Sequence, residues 1–280
     1  MKVHAMARDI FDVLQELRVS GRPFAVATVV ETIGSVSAKT SSKAIIDERG
    51  RVVAGWVGGG CAESATCHTA VQCMESGQTA MLEVDMDDEV LGAGMPCGGH
   101  MRVYVEPVLP RPTLWIMGHG RVAECLCSMA DMLGLDVVVN DPLVDRDRYP
   151  AASRLVTNDC DYAALSPAPG DFVVIATQHR GDHISMKRAL ASDVRYIALI
   201  ASRKRSRLVL DYLRREGLGE QELDRVMAPS GLDLGARTPE EIALCVMSEI
   251  VLVRRGGTGM RMRDKLGDEQ GTPKLKAAGG

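Results

Sequence analysis

Aromatic residues are scarce in this chain, with three Phe, two Trp and five Tyr among 280 residues. So few rings leave no platform on which the bases of a single strand could stack. Positive charge is not in excess either: the net charge is −4 and no basic block stands out. Together these absences exclude a nucleic-acid partner. No apolar run approaches the ~20 residues that cross a bilayer, which excludes a membrane span. The opening Met1-Lys2-Val3-His4 lacks the apolar core of a signal peptide. The expectation is a cytoplasmic protein, whose eight cysteines are reduced thiols. None of them forms a Cys-x-x-Cys pair, so a zinc knuckle is excluded. A P-loop, a Ser-His-Asp order and a His-Glu-x-x-His motif are missing too, which removes the recognised hydrolytic and phosphoryl-transfer machines.

What the chain does have is glycine next to cysteine. An apolar, strand-like run ends at Gly58-Gly59-Gly60, and Cys61, Ala62 and Glu63 follow as the first turn of a helix. Glycine serves where the backbone needs positive φ or where another group must approach it closely. A glycine run feeding a helix start presents unpaired N–H groups to an anion or a polar heterocycle. A second cluster, Gly94-Met95-Pro96-Cys97-Gly98-Gly99, comes 36 residues on. Either cluster alone reads first as a tight turn with a buried thiol, ahead of a functional role. The pair in one short region points to a site. Glu63 stands between two roles, a ligand or base beside Cys61 and a carboxylate favoured in a helix's first turn.

Hydrophobic periodicity divides the chain. The first part predicts a helix over 5–19, a strand over 24–31, a small-residue loop over 32–42 and a hairpin of 43–47 with 51–57. A helix over 61–76, a strand over 79–84, an acidic turn over 85–89 and a strand over 100–106 follow. Three prolines in 107–112 read as a linker. The expected domains are 1–108, of mixed α/β type, then 109–257, with a disordered tail over 258–280.

The second part alternates strand and helix. Strands are expected over 113–117, 135–140, 171–176 and 194–201, and helices from the turn at 118 to 133, over 183–191 and over 203–216. A last helix opens at Thr238-Pro239-Glu240-Glu241, a capping box. This is the pattern of a Rossmann-like, doubly wound parallel sheet. Between its first strand and helix lies Gly118-His119-Gly120-Arg121-Val122-Ala123, the Gly-x-Gly-x-x-Ala form of the dinucleotide fingerprint. Asp141 stands 23 positions after the first glycine. Gly118 makes the tight turn, Gly120 lets a pyrophosphate approach, Ala123 lets helix and strand pack, and Asp141 is placed to bind ribose hydroxyls. His119 either acts in the site or faces solvent. His179, Asp182 and His183 form either an acid–base or metal group, or a helix start with Asp182 as N-cap. Arg203, Lys204 and Arg205 either neutralise phosphate or are solvated. Asp233 and Arg237 either line the crevice or lock their loop.

The order of these motifs, completed by Gly231-Leu232-Asp233-Leu234-Gly235-Ala236-Arg237-Thr238-Pro239-Glu240-Glu241-Ile242-Ala243, resembles the XdhC/CoxI family over about residues 9–255. These are the accessory factors of xanthine dehydrogenase and of aerobic carbon monoxide dehydrogenase. In the loop after Gly34-Ser35, where the family usually has a proline and an arginine, Val36 to Lys39 supplies neither. The resemblance implies a small N-terminal domain before a Rossmann domain, and a chaperone without turnover of its own. It implies binding of molybdenum cofactor, its protection during sulfuration by a cysteine desulfurase, and its delivery to an apo molybdenum hydroxylase, through the large subunit. The residues assigned to the cofactor are Gly58, Gly59, Gly60, Cys61, Glu63, Cys97, Gly98, Gly99, Gly118, Gly120, Arg121, Asp141 and Asp233. Cys61 and Cys97 are the thiolates that face the metal, a soft ligand type suited to it. If the cofactor is the cytosine dinucleotide form, its pyrophosphate falls to the Gly118 turn and its ribose to Asp141. Two other readings stand beside this one: an NAD(P)-dependent oxidoreductase, and a redox or sulfur-transfer protein carrying a persulfide on Cys61 or Cys97. A homodimer is the base-rate expectation.

Overall fold

The computed structural model of the chain describes residues 9–85, 99–177, 181–194 and 196–265. It folds as two compact units, Met1–Arg111 and Pro112–Gly280.

The first unit opens with helix α1 (Ile10–Ser20). Asp9 caps it by accepting the Phe11 N–H at 2.7 Å, and Gly21 ends it in the left-handed region at φ 64°. Strands β1 (Phe24–Gly34), β2 (Lys43–Asp47), β3 (Val52–Gly55), β4 (Ala80–Asp85) and β5 (Gly99–Val108) form one sheet, with helix α2 (Cys61–Ser76) between β3 and β4. The strand order is β3-β2-β1-β5-β4, antiparallel throughout. Side chains alternate across β1. Ala25, Ala27 and Val29 enter the core shared with Ala62, Ala70 and Cys73 of α2, and Phe24 and Val26 meet Ile10, Val13 and Leu14 of α1.

Two expected boundaries move. β1 runs on to Gly34 past an irregularity between Val29 and Glu31. β5 continues through Pro107, which the prolines place in a linker and which instead pairs with Ala25. At that point β4 has already ended, its last pair being Ala80 with Val105. A proline is tolerated where one side of a strand has no neighbour. The acidic residues 86–89 and the tail from 266 lie outside the described residues.

Asp47 locks the β2–β3 turn. It is buried, and it accepts the N–H groups of Arg49 and Arg51 at 3.0 and 2.9 Å and the Arg51 guanidinium at 3.1 and 2.9 Å. Burial works to raise its pKa, but the hydrogen bonds from Arg51 and Arg49 outweigh it and hold the carboxyl below the usual value. A lowered folded-state pKa gives stability that is complete above the unfolded value of about 4. That stability is lost as the pH falls through the lower folded value. Asp47→Asn is expected to cost ~1–3 kcal/mol at neutral pH and to flatten acid unfolding below about pH 4. Superimposable acid-unfolding curves for the two proteins would refute this.

The second unit contains strands β6 (Thr113–Gly118), β7 (Asp136–Asn140), β8 (Arg154–Val156), β9 (Phe172–Ala176), β10 (Tyr196–Leu199) and β11 (Val226–Met227). Its helices are α3 (Arg121–Met132), α4 (Asp182–Leu190), α5 (Arg203–Arg215), the single turn α6 (Glu220–Leu223) and α7 (Pro239–Arg255). All strand pairs are parallel, in the order β8-β7-β6-β9-β10-β11. Counted within the unit this is 3-2-1-4-5-6, the doubly wound order, with the chain reversing direction between β6 and β9. Leu114 and Ile116 of β6 pack into the layer of α3 and α7, and Trp115 and Met117 into that of α4 and α5. Both faces are covered, which is why these strands read as unbroken apolar runs. The expected strands and long helices are all present, shifted by a residue or two at their ends. The short β8, α6 and β11 are additions.

Candidate functional site

In the first unit the glycine–cysteine turn follows β3. Gly55 (φ 76°) presses its Cα onto the Lys43 carbonyl, and Trp56 N–H donates to that same oxygen at 2.7 Å. The chain then leaves the sheet through buried Val57, Gly58 at φ 111° and Gly60 at φ 60°, and enters α2. Both φ values favour glycine over any L side chain. Gly60 is the N-cap and offers no side chain, so among the described residues no side-chain cap hydrogen bond closes the start of α2. Cys61, first in the helix, is exposed, Glu63 is half-buried, and a methyl on Gly59 would meet nothing within 4 Å.

The loop over 35–38 ties this turn to the second cluster. A Cβ on Gly58 would lie 3.8 Å from Ser37 Oγ and 3.9 Å from Ala38 Cβ. A Cβ on Gly99 would meet Val36 Cγ2 at 2.9 Å and Ser35 N at 3.1 Å. Gly58 and Gly99 thus flank one short loop. Cys97 and Gly98 lie outside the described residues. The other cysteines of α2 differ from Cys61: burial, then the nearby Glu63 and Asp47 carboxylates, push the Cys67 thiol up, and burial alone pushes up Cys73. Both are held as thiols. Among the described residues no three of His, Cys, Asp and Glu gather closely enough to hold a metal ion.

In the second unit the fingerprint turn sits at the carboxyl end of β6, beside the point where the strand order reverses. Gly118 has φ 125°, and a Cβ there would run into the Ala176 carbonyl and lie 2.7 Å from Thr177 N. Gly120, at φ 102°, caps α3 without a side-chain bond. Its N–H donates at 3.0 Å to Oη of Tyr149, a fully buried ring whose hydroxyl burial pushes up to about 12. Ala123 is buried against the sheet.

Asp141 is buried as well. Its Oδ1 accepts the Leu143 N–H at 2.9 Å, and its Oδ2 lies 3.0 Å from His119 Nδ1. His119 therefore packs against Asp141 rather than pointing into bulk solvent. Arg121 is exposed and pairs with Glu240 at 2.7 Å and Glu124 at 3.4 Å, so the starts of α3 and α7 are clasped together. Asp233 is exposed on the loop before α7. That loop is anchored by Glu249, which accepts Tyr196 Oη at 2.6 Å and Gly231 N–H at 2.8 Å.

Asp182 is not the N-cap of α4: Gly181, at φ 83°, takes that place. Thr177 Oγ1 donates to the Asp182 carboxylate, and the Arg205 guanidinium reaches it at 3.0 Å, so one side chain joins the starts of α4 and α5. Arg205 is thereby a structural cation rather than a solvated one. His179 lies outside the described residues, and His183 is exposed, its ring 5.1 Å from that of Tyr212.

Residues 17–85 match the model of the XdhC and CoxI family, and residues 114–250 match the XdhC Rossmann domain. The chain belongs to the XdhC and CoxI family. The XdhC-type chain is 30% identical over 258 residues to the uncharacterized protein YqeB of Escherichia coli K12, covering 90% of this chain and 47% of that one. It is 27% identical over 159 residues to a probable xanthine dehydrogenase subunit of Bacillus subtilis 168, covering 55% and 46%. It is 22% identical over 297 residues to the molybdenum cofactor insertion chaperone PaoD of E. coli K12, covering 88% of each. The chain thus spans about half the length of the first two relatives. No helix among the described residues of this XdhC-type chain is long and apolar enough to cross a membrane.

Proposed function

We propose that this chain is an accessory factor that binds molybdenum cofactor and hands it to an apo molybdenum hydroxylase. The observation that carries the reading is Cys61: an exposed thiol on the first residue of a helix whose N-cap is a glycine, with no side-chain cap bond among the described residues. A soft donor next to several N–H donors suits a ligand with a metal–sulfur end and a polar heterocycle. The glycine turn fits the same ligand, because Gly59 and Gly60 are exposed with open space around them, and Gly60 at φ 60° disfavours any side chain there. Family membership and the likeness to PaoD agree with it.

Within this reading Cys61, with Cys97, holds the metal end, and the amides at Gly59, Gly60 and Gly99 and the Glu63 carboxylate orient the heterocycle. The bound cofactor supplies the molybdenum centre and its exchangeable sulfur. In the second unit, taken by itself, the first turn of α3 after Gly118 and Gly120 is a seat for an anion, with Arg121 and Asp233 nearby on the same unit. A cysteine desulfurase is the sulfur source and the large subunit of a molybdenum hydroxylase the recipient, both met in the cytoplasm. The chain carries out no turnover itself.

Anaerobic titration with molybdenum cofactor tests this. Tight, stoichiometric binding that weakens in Cys61→Ala or Cys97→Ala is the expected result. A protein that ignores the cofactor and binds NAD(H) instead would replace this reading with an oxidoreductase.

A further inference from the structure

Positive charge, thin over the chain as a whole, gathers on one helix of the second unit. Six of the thirteen residues of α5 are basic and one, Asp211, is acidic, in a chain of net charge −4. Arg203, Lys204 and Arg205 fill its first turn, where the helix dipole favours carboxylates and α5 has none. Arg205 is held by the buried Asp182 carboxylate at 3.0 Å. Arg214 is matched by Asp211 and Glu220 at 2.8 and 2.6 Å, and Lys187 of α4 by Glu216 at 2.6 Å. Among the described residues no carboxylate pairs with Arg203, Lys204, Arg207 or Arg215. Like charges at i and i+4 oppose a helix, so the fold itself does not account for Arg203 and Arg207. The same face carries apolar surface. Ser206, Val209 and Leu213 are buried, so Lys204, Leu208 and Arg215 share the opposite side, flanked by Arg207 and Tyr212. Leu208 is 55% exposed and Tyr212 40%. Tyr212 is held in place, its ring edge-on to that of His183 at 5.1 Å and 6.0 Å from Lys187 Nζ. An apolar centre with charge around it is the layout of a protein interface. A phosphate backbone uses only the charge.

We propose that the outward face of α5 docks an acidic amphipathic helix of a partner protein, whose carboxylates meet Lys204, Arg207 and Arg215 and whose apolar side chains cover Leu208 and Tyr212. Charge complementarity selects the partner: four cations without an intramolecular match call for carboxylates, and the apolar residues between them call for a side chain that a lone anion lacks. At 13 residues α5 is about 20 Å long, room for three to four turns of such a helix. The contact needs no cargo, so it stands or falls apart from the carrier reading.

The test titrates the full chain, by fluorescence anisotropy, with a labelled peptide of Glu, Ala and Leu patterned as an amphipathic helix of similar length. A short DNA duplex and phosphatidylserine vesicles are the competing probes. Peptide affinity is expected to fall at least ~10-fold in Arg207→Glu, and at least ~5-fold in Leu208→Ala, the scale of an interface anchor. Arg49→Glu, the same charge change on an exposed residue of the first unit, is expected to leave it within a factor of about two. Lys204→Glu stands in if circular dichroism shows Arg207→Glu unfolded. No peptide binding, or equal losses at Arg49 and Arg207, overturns the docking surface. Loss in Arg207→Glu with none in Leu208→Ala leaves charge attraction alone and overturns the interface. A duplex or vesicle bound as tightly as the peptide overturns the choice of a protein partner.

Discussion

Gly118→Ala is expected to unfold the second unit, or to strip more than ~4 kcal/mol from it, in guanidinium denaturation followed by circular dichroism. Two costs combine. The residue would be held at φ 125°, a conformation L side chains rarely adopt, and its methyl would collide with the Ala176 carbonyl. Backbone strain of that kind costs ~1–3 kcal/mol, and forcing atoms into a filled space costs about as much again or more. The obstruction is backbone of the paired strand, since Gly118 and Ala176 are the last partners of the β6–β9 ladder at the middle of the sheet. A side chain could swing aside; this carbonyl cannot move without separating the two strands. Domains have only ~5–15 kcal/mol in total, so the loss is most or all of the margin. Gly134→Ala is the matched control, because it sits at φ 71° with nothing within 4 Å of the new methyl. It is expected to lose only ~1–2 kcal/mol. Equal losses at the two positions would show that the conformation matters and the contact does not.

Cys61→Ala is expected to lower the affinity for molybdenum cofactor ~100-fold, about 2.7 kcal/mol, whereas Cys67→Ala is expected to leave it within a factor of two or so. The two thiols lie six residues apart on one helix, so the comparison holds sequence context nearly constant. Cys61 is exposed at the open end of α2. Cys67 is partly covered, and burial and two carboxylates oppose its ionisation. A metal takes the thiolate. Alkylation followed by mass spectrometry supplies a readout independent of the cofactor: Cys61 is to be modified before Cys67 and Cys73. Matching losses in Cys61→Ala and Cys67→Ala would move the metal end of the ligand down the helix and away from the glycine turn.

Much of this architecture is legible in the sequence because it is written in short-range pattern. The strand, glycine turn, helix, strand and acid from 113 to 141 follow one another, and each can be recognised from its neighbours. The relations that decide how the site works are of another kind. His119 and Asp141 are 22 residues apart and meet only because β6 and β7 are adjacent. Tyr149 sits in a turn-rich stretch without periodicity, so nothing local marks it as the residue beneath Gly120. The loop over 35–38 reads as a plain connection, and only the sheet brings it against both Gly58 and Gly99. Asp182 shows the opposite failure. Local preference makes it a cap, but Thr177 and Arg205 claim its carboxylate, and a glycine makes the turn. β8 and β11 have three and two residues, too few for an alternating pattern to declare itself.

The Tyr149 hydroxyl beneath Gly120 has a consequence for exchange. Because the phenol engages the glycine amide from within the core, the shape of the turn is held by the protein's own contacts. Such a receptor loses little conformational entropy on loading, and regains little when the ligand leaves. A storage protein gains from a site that folds around its cargo and holds it for long periods. A carrier that must surrender its cargo to another protein is better served by a rigid seat, whose release rate depends on the contacts broken and not on a segment having to melt.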